Sequence, residues 1–373
     1  MKKISPCWFI GVVLLFAACG GGIPEDFSTV VFDMGDGGSL YYRIPAIETA
    51  ADGSIIALSD KRWENLNDLP ARIDVVCRRS TDGGRTWGEP VTVAASDEGG
   101  GYGDPAIVLD RDSGDLISVF AHGPGFWQST ADNPLRICIS RSSDNGLSWT
   151  EPCDITAQIY GAECEDNDRS KWQGAFAASG HALQLSCGRL MFVVAVRTTA
   201  GRGGISNYAC YSDDGGATWS VSENAADTNG DEAKVAELPD GSILMSIRAK
   251  GHRHFSKSFD RGRTWSEASV SKDVIEPACN GDILSMTVSR ARKHENVLLQ
   301  TVPCDSTSRR NVSILYSPDQ GCSWQLGKVL CEGASAYSSL TILPDGAIGA
   351  LVEEGSWSDG FTLRFYHVKP DFL

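Results

Sequence analysis

The sequence contains no apolar run long enough to cross a bilayer: the amino-terminal run Trp8 to Ala18 has eleven residues, where a spanning helix needs about 20. Basic residues are scarce, 33 Lys and Arg against 48 Asp and Glu for a net charge of −15. Such a chain repels phosphate backbones, which excludes nucleic acid as a general partner. It also makes any pocket of clustered cations informative. No CxxC pair and no zinc-type Cys/His spacing occurs. The scattered Asp-Gly pairs are turns rather than calcium loops, and no Gly-rich phosphate loop is present, so neither metal nor cofactor is expected. Long polar helical stretches are few, which argues against a helical bundle. Forty Gly and ten Trp favour many turns and aromatic-anchored strands instead. With 42% apolar and 22% charged residues the chain can bury a large core and is not disordered.

The amino terminus reads as a targeting segment. Lys2 and Lys3 precede the apolar run, and Cys19 and three glycines follow it, the layout of a secretory signal. Leu15-Phe16-Ala17-Ala18-Cys19 resembles a bacterial lipobox. The expectation is a lipoprotein-type signal over residues 1–18, a lipid on Cys19 and a tether over 19–27. Export to the cell envelope or surface follows, or to the periplasm or medium without the lipid, with membrane contact only through the anchor. Without Cys7 and Cys19, ten cysteines remain, an even number for which an oxidising compartment allows disulfides. Cys77, Cys138 and Cys210 nevertheless sit in apolar, strand-like runs, where a free thiol packs as a small hydrophobe.

A repeat organises the rest. The pattern S-x-D-x-G-x-[TS]-W occurs five times, from Ser80, Ser142, Ser212, Ser258 and Ser317, at a mean spacing of roughly 59 residues, near the size of a propeller blade. Each copy reads as a hairpin turn. Asp82, Asp144, Asp214, Asp260 and Asp319 bond backbone amides, the glycine takes positive φ and the Trp packs inward. Between the copies, apolar runs break at Asp52-Gly53, Ser113-Gly114, Cys187-Gly188, Asp240-Gly241 and Asp345-Gly346, a second set of strand-turn-strand signals. The arithmetic predicts an all-β, six-bladed β-propeller in one domain over residues 28–373, one blade lacking the repeat.

These Asp-boxes together with Tyr42-Arg43-Ile44-Pro45 resemble the bacterial and animal sialidases over roughly residues 28–370. Asp-boxes alone do not establish activity, because function lives in the site. A sialoside carries a carboxylate on its anomeric carbon, and fixed arginines bind such a planar anion bidentately. The resemblance implies three: Arg43, then Arg248 in Met245-Ser246-Ile247-Arg248, then Arg309, which stands ten residues before the Asp319 of the next Asp-box. Arg310 competes with Arg309 for the last role. A surface ion pair is the plain alternative for each. The same carboxylate repels a charged nucleophile, and sialidases are the known glycosidase exception that uses tyrosine. Tyr337 in Gly333-Ala334-Ser335-Ala336-Tyr337 matches that segment. Glu232, sixteen residues before Arg248, matches the partner that takes the phenol proton.

By the same resemblance, an acid on the loop before the first Asp-box protonates the leaving oxygen. Asp68 is the choice and Asp74 the runner-up. Arg62 near the sugar and Asp104 near a hydroxyl are further substrate contacts, and Glu353, or else Glu354, orients Arg43. Trp63, Phe126, Trp127 and Trp172 are equally well explained by packing and carry no site role. The implied function is a retaining exo-α-sialidase acting on sialylated glycoproteins, glycolipids or oligosaccharides. The competing readings are a non-catalytic glycan-binding propeller, a trans-sialidase, and a hydrolase of a related ulosonic acid.

Overall fold

The computed structural model describes residues 25–201, 203–290 and 293–373. The signal segment, Cys19 and the tether as far as residue 24 lie outside the described residues. The first strand opens at Phe27, one residue before the expected domain start.

Strands take 51% of the residues and helices 3%, so the class is all-β. Four sheets are built around successive antiparallel strands. The first runs Tyr41–Thr49, Ile55–Arg62, Ile73–Ser80, Val91–Ala94, and the second Tyr102–Leu109, Leu116–His122, Arg136–Ser142, Cys153–Asp154. The third runs Gly174–Ala177, Leu190–Arg197, Ser206–Ser212, Ser220–Val221, and the fourth Ala233–Glu237, Ile243–Ile247, Lys250–Ser258, Ser269–Pro277. The remaining sheet has seven strands, from Asp282–Arg290 through Lys293–Pro303, Arg310–Ser317, Gln325–Ile342, Ile348–Ser356 and Gly360–Val368 to the amino-terminal strand Phe27–Phe32. Its long member Gln325–Ile342 changes partner midway: Gln325 to Ala334 pair with Arg310–Ser317, and Ser335 to Ile342 pair with Ile348–Ser356.

Each sheet buries its apolar residues against the next. Leu58, Val75 and Cys77 of the first meet Ile107, Leu116 and Phe120 of the second, and comparable cores join second to third, third to fourth and fourth to the seven-stranded sheet. Within the seven-stranded sheet, Leu299, Val312 and Ile314 face Leu340, Ala350 and Val352. A last core packs Phe32, Leu351 and Phe365 on Ile47, Ile55 and Ala57 of the first sheet, so the series of cores returns to where it began.

The Asp-boxes form the expected turns. Ser80 Oγ donates to Asp82 Oδ1 at 2.8 Å and accepts the Gly84 amide at 2.9 Å, while Asp82 Oδ1 accepts the Thr86 amide at 2.9 Å. The other four copies repeat these bonds. Gly84 needs its missing side chain for two reasons: its φ is +89°, and a Cβ there would stand 2.1 Å from the Phe365 ring. The Gly of every apolar-run turn, from Gly53 to Gly346, also has positive φ. All ten cysteines from Cys77 to Cys331 are free thiols, so the disulfides an oxidising compartment allows are not formed. Buried Cys77 instead accepts the indole N–H of Trp149, from the second Asp-box, at 3.2 Å.

Candidate active site

Non-glycine residues with φ near +60° are uncommon, and the described ones fall into two groups. Asn145, Arg261 and Gln320 belong to Asp-boxes; Ile44 and Asp104 line one cavity, Ala278 accepts from Arg309 on that cavity, and Asn311 follows two residues after Arg309. The pairing register breaks there as well, between Arg43 and Ala46, between Gly103 and Ala106, and between Ser335 and Ser338. A bulge re-aims the side chains beside it. These three bulges turn Arg43, Asp104 and Tyr337 from the ladder toward a common centre.

The cavity they border has a volume of about 270 Å³. One wall carries Arg43, Asp104, Asp231, Glu232, Arg248, Arg309 and Tyr337, with Asp68 also lining it; Leu69, Phe126, Trp127, Leu135, Phe176 and Ile205 form an apolar flank, and Ile44 and Trp357 complete the lining. Three guanidinium groups surround the phenol of Tyr337. Arg43 and Arg309 have Cζ 5.1 and 5.4 Å from the ring centroid, and Arg248 Nη1 is 3.0 Å from the phenol oxygen. That phenol donates to Glu232 Oε2 at 2.8 Å, and Arg248 binds the same carboxylate oxygen.

Counter-charges hold two of the arginines. Glu353, fully buried, accepts from Arg43 Nη2 at 2.9 Å, from the Ile44 amide at 2.8 Å and from the Tyr337 amide at 3.2 Å. Arg248 also faces Asp231 at 3.5 Å. Arg309 donates to the carbonyl of Ala278 at 3.2 Å. Arg43 is sandwiched by aromatic rings, with Trp357 at 4.4 Å and Phe361 at 4.8 Å.

Electrostatics divide the acids. Burial pushes the Tyr337 phenol well above its ordinary pKa and Glu232 adds to this, while the three arginines pull it back; the resting phenol is neutral. Burial also opposes the charge on Glu232, but Arg248, Lys234 and the Tyr337 hydrogen bond outweigh it and hold that carboxyl below its usual range. Burial, then Asp60, Asp68 and Glu232, raise Asp104 well above the usual carboxylate range. Lys234, beneath Glu232 in the strand Ala233–Glu237, is pushed down to about 8 by burial, with Glu232 and Asp282 resisting.

The sequence-derived candidates separate cleanly in space. Arg309 lines the cavity, whereas Arg310 is exposed and 3.8 Å from Asp305. Asp68 lines the cavity with its side chain 67% exposed; Asp74 is buried elsewhere, accepting from the Trp63 indole and the Ser96 amide. Glu353 holds Arg43, and Glu354 pairs with Arg364 at 2.8 Å. Arg62 is buried and is not among the lining residues; it binds Asp60 and the cavity-lining Asp68 at 2.8 Å each.

The chain from residue 71 to 350 matches the model of the BNR repeat-like domain. The chain belongs to the BNR repeat-like domain family. Its relatives include a sialidase of Micromonospora viridifaciens, 34% identical over 84% of this chain and 50% of that protein, and a sialidase of Bacteroides fragilis (strain YCH46), 29% identical over 91% and 65%. The chain thus spans about half to two thirds of the length of these relatives. Among solved structures, Hadza microbial sialidase Hz136 superposes with a TM-score of 0.80 at 28% identity, covering 92% of this chain and 68% of that one.

Sequence reasoning missed several members of this site. Phe126 and Trp127 stand on the cavity wall, held there by buried Arg197, which donates to the carbonyls of Phe126 at 3.1 Å and Ser129 at 2.7 Å. Asp231 could have been noticed as a second acid beside Glu232. Trp357, half exposed in a hairpin outside any Asp-box, leaves no mark in the repeat pattern.

Proposed function

We propose that this protein is a retaining exo-α-sialidase that removes terminal α-linked sialic acids from glycoproteins, glycolipids or oligosaccharides. The observation that carries it is three guanidinium groups around one phenol that is hydrogen-bonded to a depressed carboxylate. In an acidic chain, that cluster suits a ligand bearing its own carboxylate next to the reacting carbon. Arg43, Arg248 and Arg309 bind this carboxylate and orient the anomeric carbon toward Tyr337. Tyr337 Oη bonds to that carbon as the glycosidic C–O bond breaks. Glu232 takes the phenol proton, and Asp68, accessible and steered by Arg62, protonates the departing oxygen. Asp68 then deprotonates a water that displaces the phenol, which recovers its proton from Glu232, and the configuration is retained. Asp104, kept largely protonated, donates to the sugar.

Six blades in one domain over residues 28–373 belong to the same reading. The partner change within Gln325–Ile342 divides the seven-stranded sheet into two blades, and the core between its halves supports the division. The amino-terminal layout supports export with a lipid on Cys19; loss of alkyl-fatty-acid labelling on C19S tests that part. The activity test is fluorophore release from an α-linked sialoside by wild type and Tyr337→Phe. Turnover lost in the folded variant, with an α-anomer as first product by NMR, supports the proposal. A folded wild type without turnover, or a β first product, overturns it.

A further inference from the structure

The backbone next to two of the clamp arginines' anchor points is held by a residue outside the cavity lining. Glu276 is the penultimate residue of the strand Ser269–Pro277 and is fully buried. Its Oε1 accepts the amide of Ala249 at 2.9 Å, the residue directly after Arg248. Its Oε2 accepts the amide of Cys279 at 2.6 Å, directly after Ala278. Ala278 is left-handed, with φ of 57°, and its carbonyl receives Arg309 Nη2 at 3.2 Å. Arg253, also fully buried, completes the arrangement: Nη1 binds Glu276 Oε1 at 3.3 Å and the Cys279 carbonyl at 2.9 Å, and Nε binds Ser246 Oγ at 2.9 Å.

We infer that Glu276 is a positioning residue for carboxylate recognition, setting Arg248 and Arg309 relative to each other through the backbone on which each depends. A buried ion pair is a weak source of stability, because desolvation offsets most of its attraction. This pair instead uses the acceptors of one carboxylate to pin two separate amides beside the clamp. Bidentate recognition tolerates little displacement, and misplacement by about 1 Å costs on the order of 10²-fold. Without Glu276, Ala278 has no reason to hold its strained conformation and the Arg309 acceptor drifts relative to Arg248.

This inference rests on the sialidase reading, and its test separates the two. An unreactive S-linked α-sialoside and its carboxamide are compared as competitive inhibitors of wild type and Glu276→Gln. The amide side chain keeps the volume but turns a donor toward one of the two backbone N–H groups. The expected result is a wild type that prefers the acid at least tenfold, a variant whose preference falls about tenfold, and a KM that rises more than kcat falls. A purely structural role lowers the melting temperature but leaves the acid-to-carboxamide ratio of the folded variant unchanged, and that result overturns the inference alone. A wild type without preference overturns the sialidase reading and this inference with it. Should E276Q not fold, the double substitution Arg253→Met with Glu276→Met removes both charges together, and the same ratio is read.

Discussion

The phenol oxygen of Tyr337 and Oε2 of Glu232 are 2.8 Å apart, although the two residues come from the fourth sheet's edge and from the strand Gln325–Ile342. Among the described residues, Glu232 is the carboxylate that accepts the nucleophile's proton in a hydrogen bond. Glu232→Gln keeps a hydrogen-bonding side chain but cannot take that proton, so kcat falls by ~10²–10⁴-fold in a protein that remains folded. Steady-state kinetics on a fluorogenic sialoside check this, and an unchanged kcat removes Glu232 from the proton path.

Asp68 is held by Arg62 and is largely exposed, the position of a group that meets the leaving oxygen. Asp68→Asn slows alkyl or sugar sialosides by ~10²–10⁴-fold but affects sialosides of acidic phenols far less, since these leave without a proton. Equal loss across a series of leaving groups would assign Asp68 to binding.

Glu353 joins Arg43 to the Tyr337 amide with both charged groups buried. Removing one partner of such a pair strands the other charge, at a cost of about 3–5 kcal/mol. Glu353→Gln therefore lowers the melting temperature and raises KM, whereas Glu354→Gln, at the Arg364 pair, leaves KM near wild type.

Lys234 reaches Glu232 through a buried relay: its Nζ donates to Asn280 at 2.8 Å, Asn280 donates to Ser179 Oγ at 3.0 Å, and Ser179 donates to Glu232 Oε1 at 3.2 Å. Lys234→Met removes a cation that lowers the Glu232 pKa, so the acid limb of the kcat/KM profile moves to higher pH. The same group leaves a stability signature. Its pKa falls from 10.5 to about 8 on folding, so between those values the unfolded chain binds the extra proton and stability rises with pH. Denaturant titrations from pH 8 to 10.5 should show this rise in wild type and its loss in the variant.

The Asp-boxes carry a dependence of the same sign at acid pH. Slight burial works against the Asp82 charge, but hydrogen bonds from Thr86 and Ser80 win and bring its pKa to about 2. A carboxyl depressed on folding stabilises above its ordinary pKa and loses that contribution as pH falls toward the folded value. The urea midpoint of wild type should drop more steeply between about pH 4 and pH 2 than that of Asp82→Asn.

Legibility followed the range of the interactions. The Asp-boxes could be read because Ser80, Asp82, Gly84 and Thr86 satisfy one another within one turn. Arg43, Glu232 and Tyr337 could be read because each lies in a local pattern. What stayed hidden is defined only by neighbours distant in the chain. Glu276 looks like any strand-end acid until Ala249 and Cys279 are seen to share it. Trp127 is a loop aromatic until the cavity gives it a side. Arg62, expected near the sugar, is held between buried Asp60 and the cavity-lining Asp68, a setting that no local pattern announces.

The strand Phe27–Phe32 lies antiparallel to Gly360–Val368, so segments far apart in the sequence are hydrogen-bonded neighbours. Closing so long a loop must wait for contacts elsewhere to be in place. A nascent chain made from its amino terminus therefore carries Phe27–Phe32 unpaired until Gly360–Val368 has been made. The pairing is a latch, and a chain lacking Gly360–Val368 leaves that edge open to aggregation.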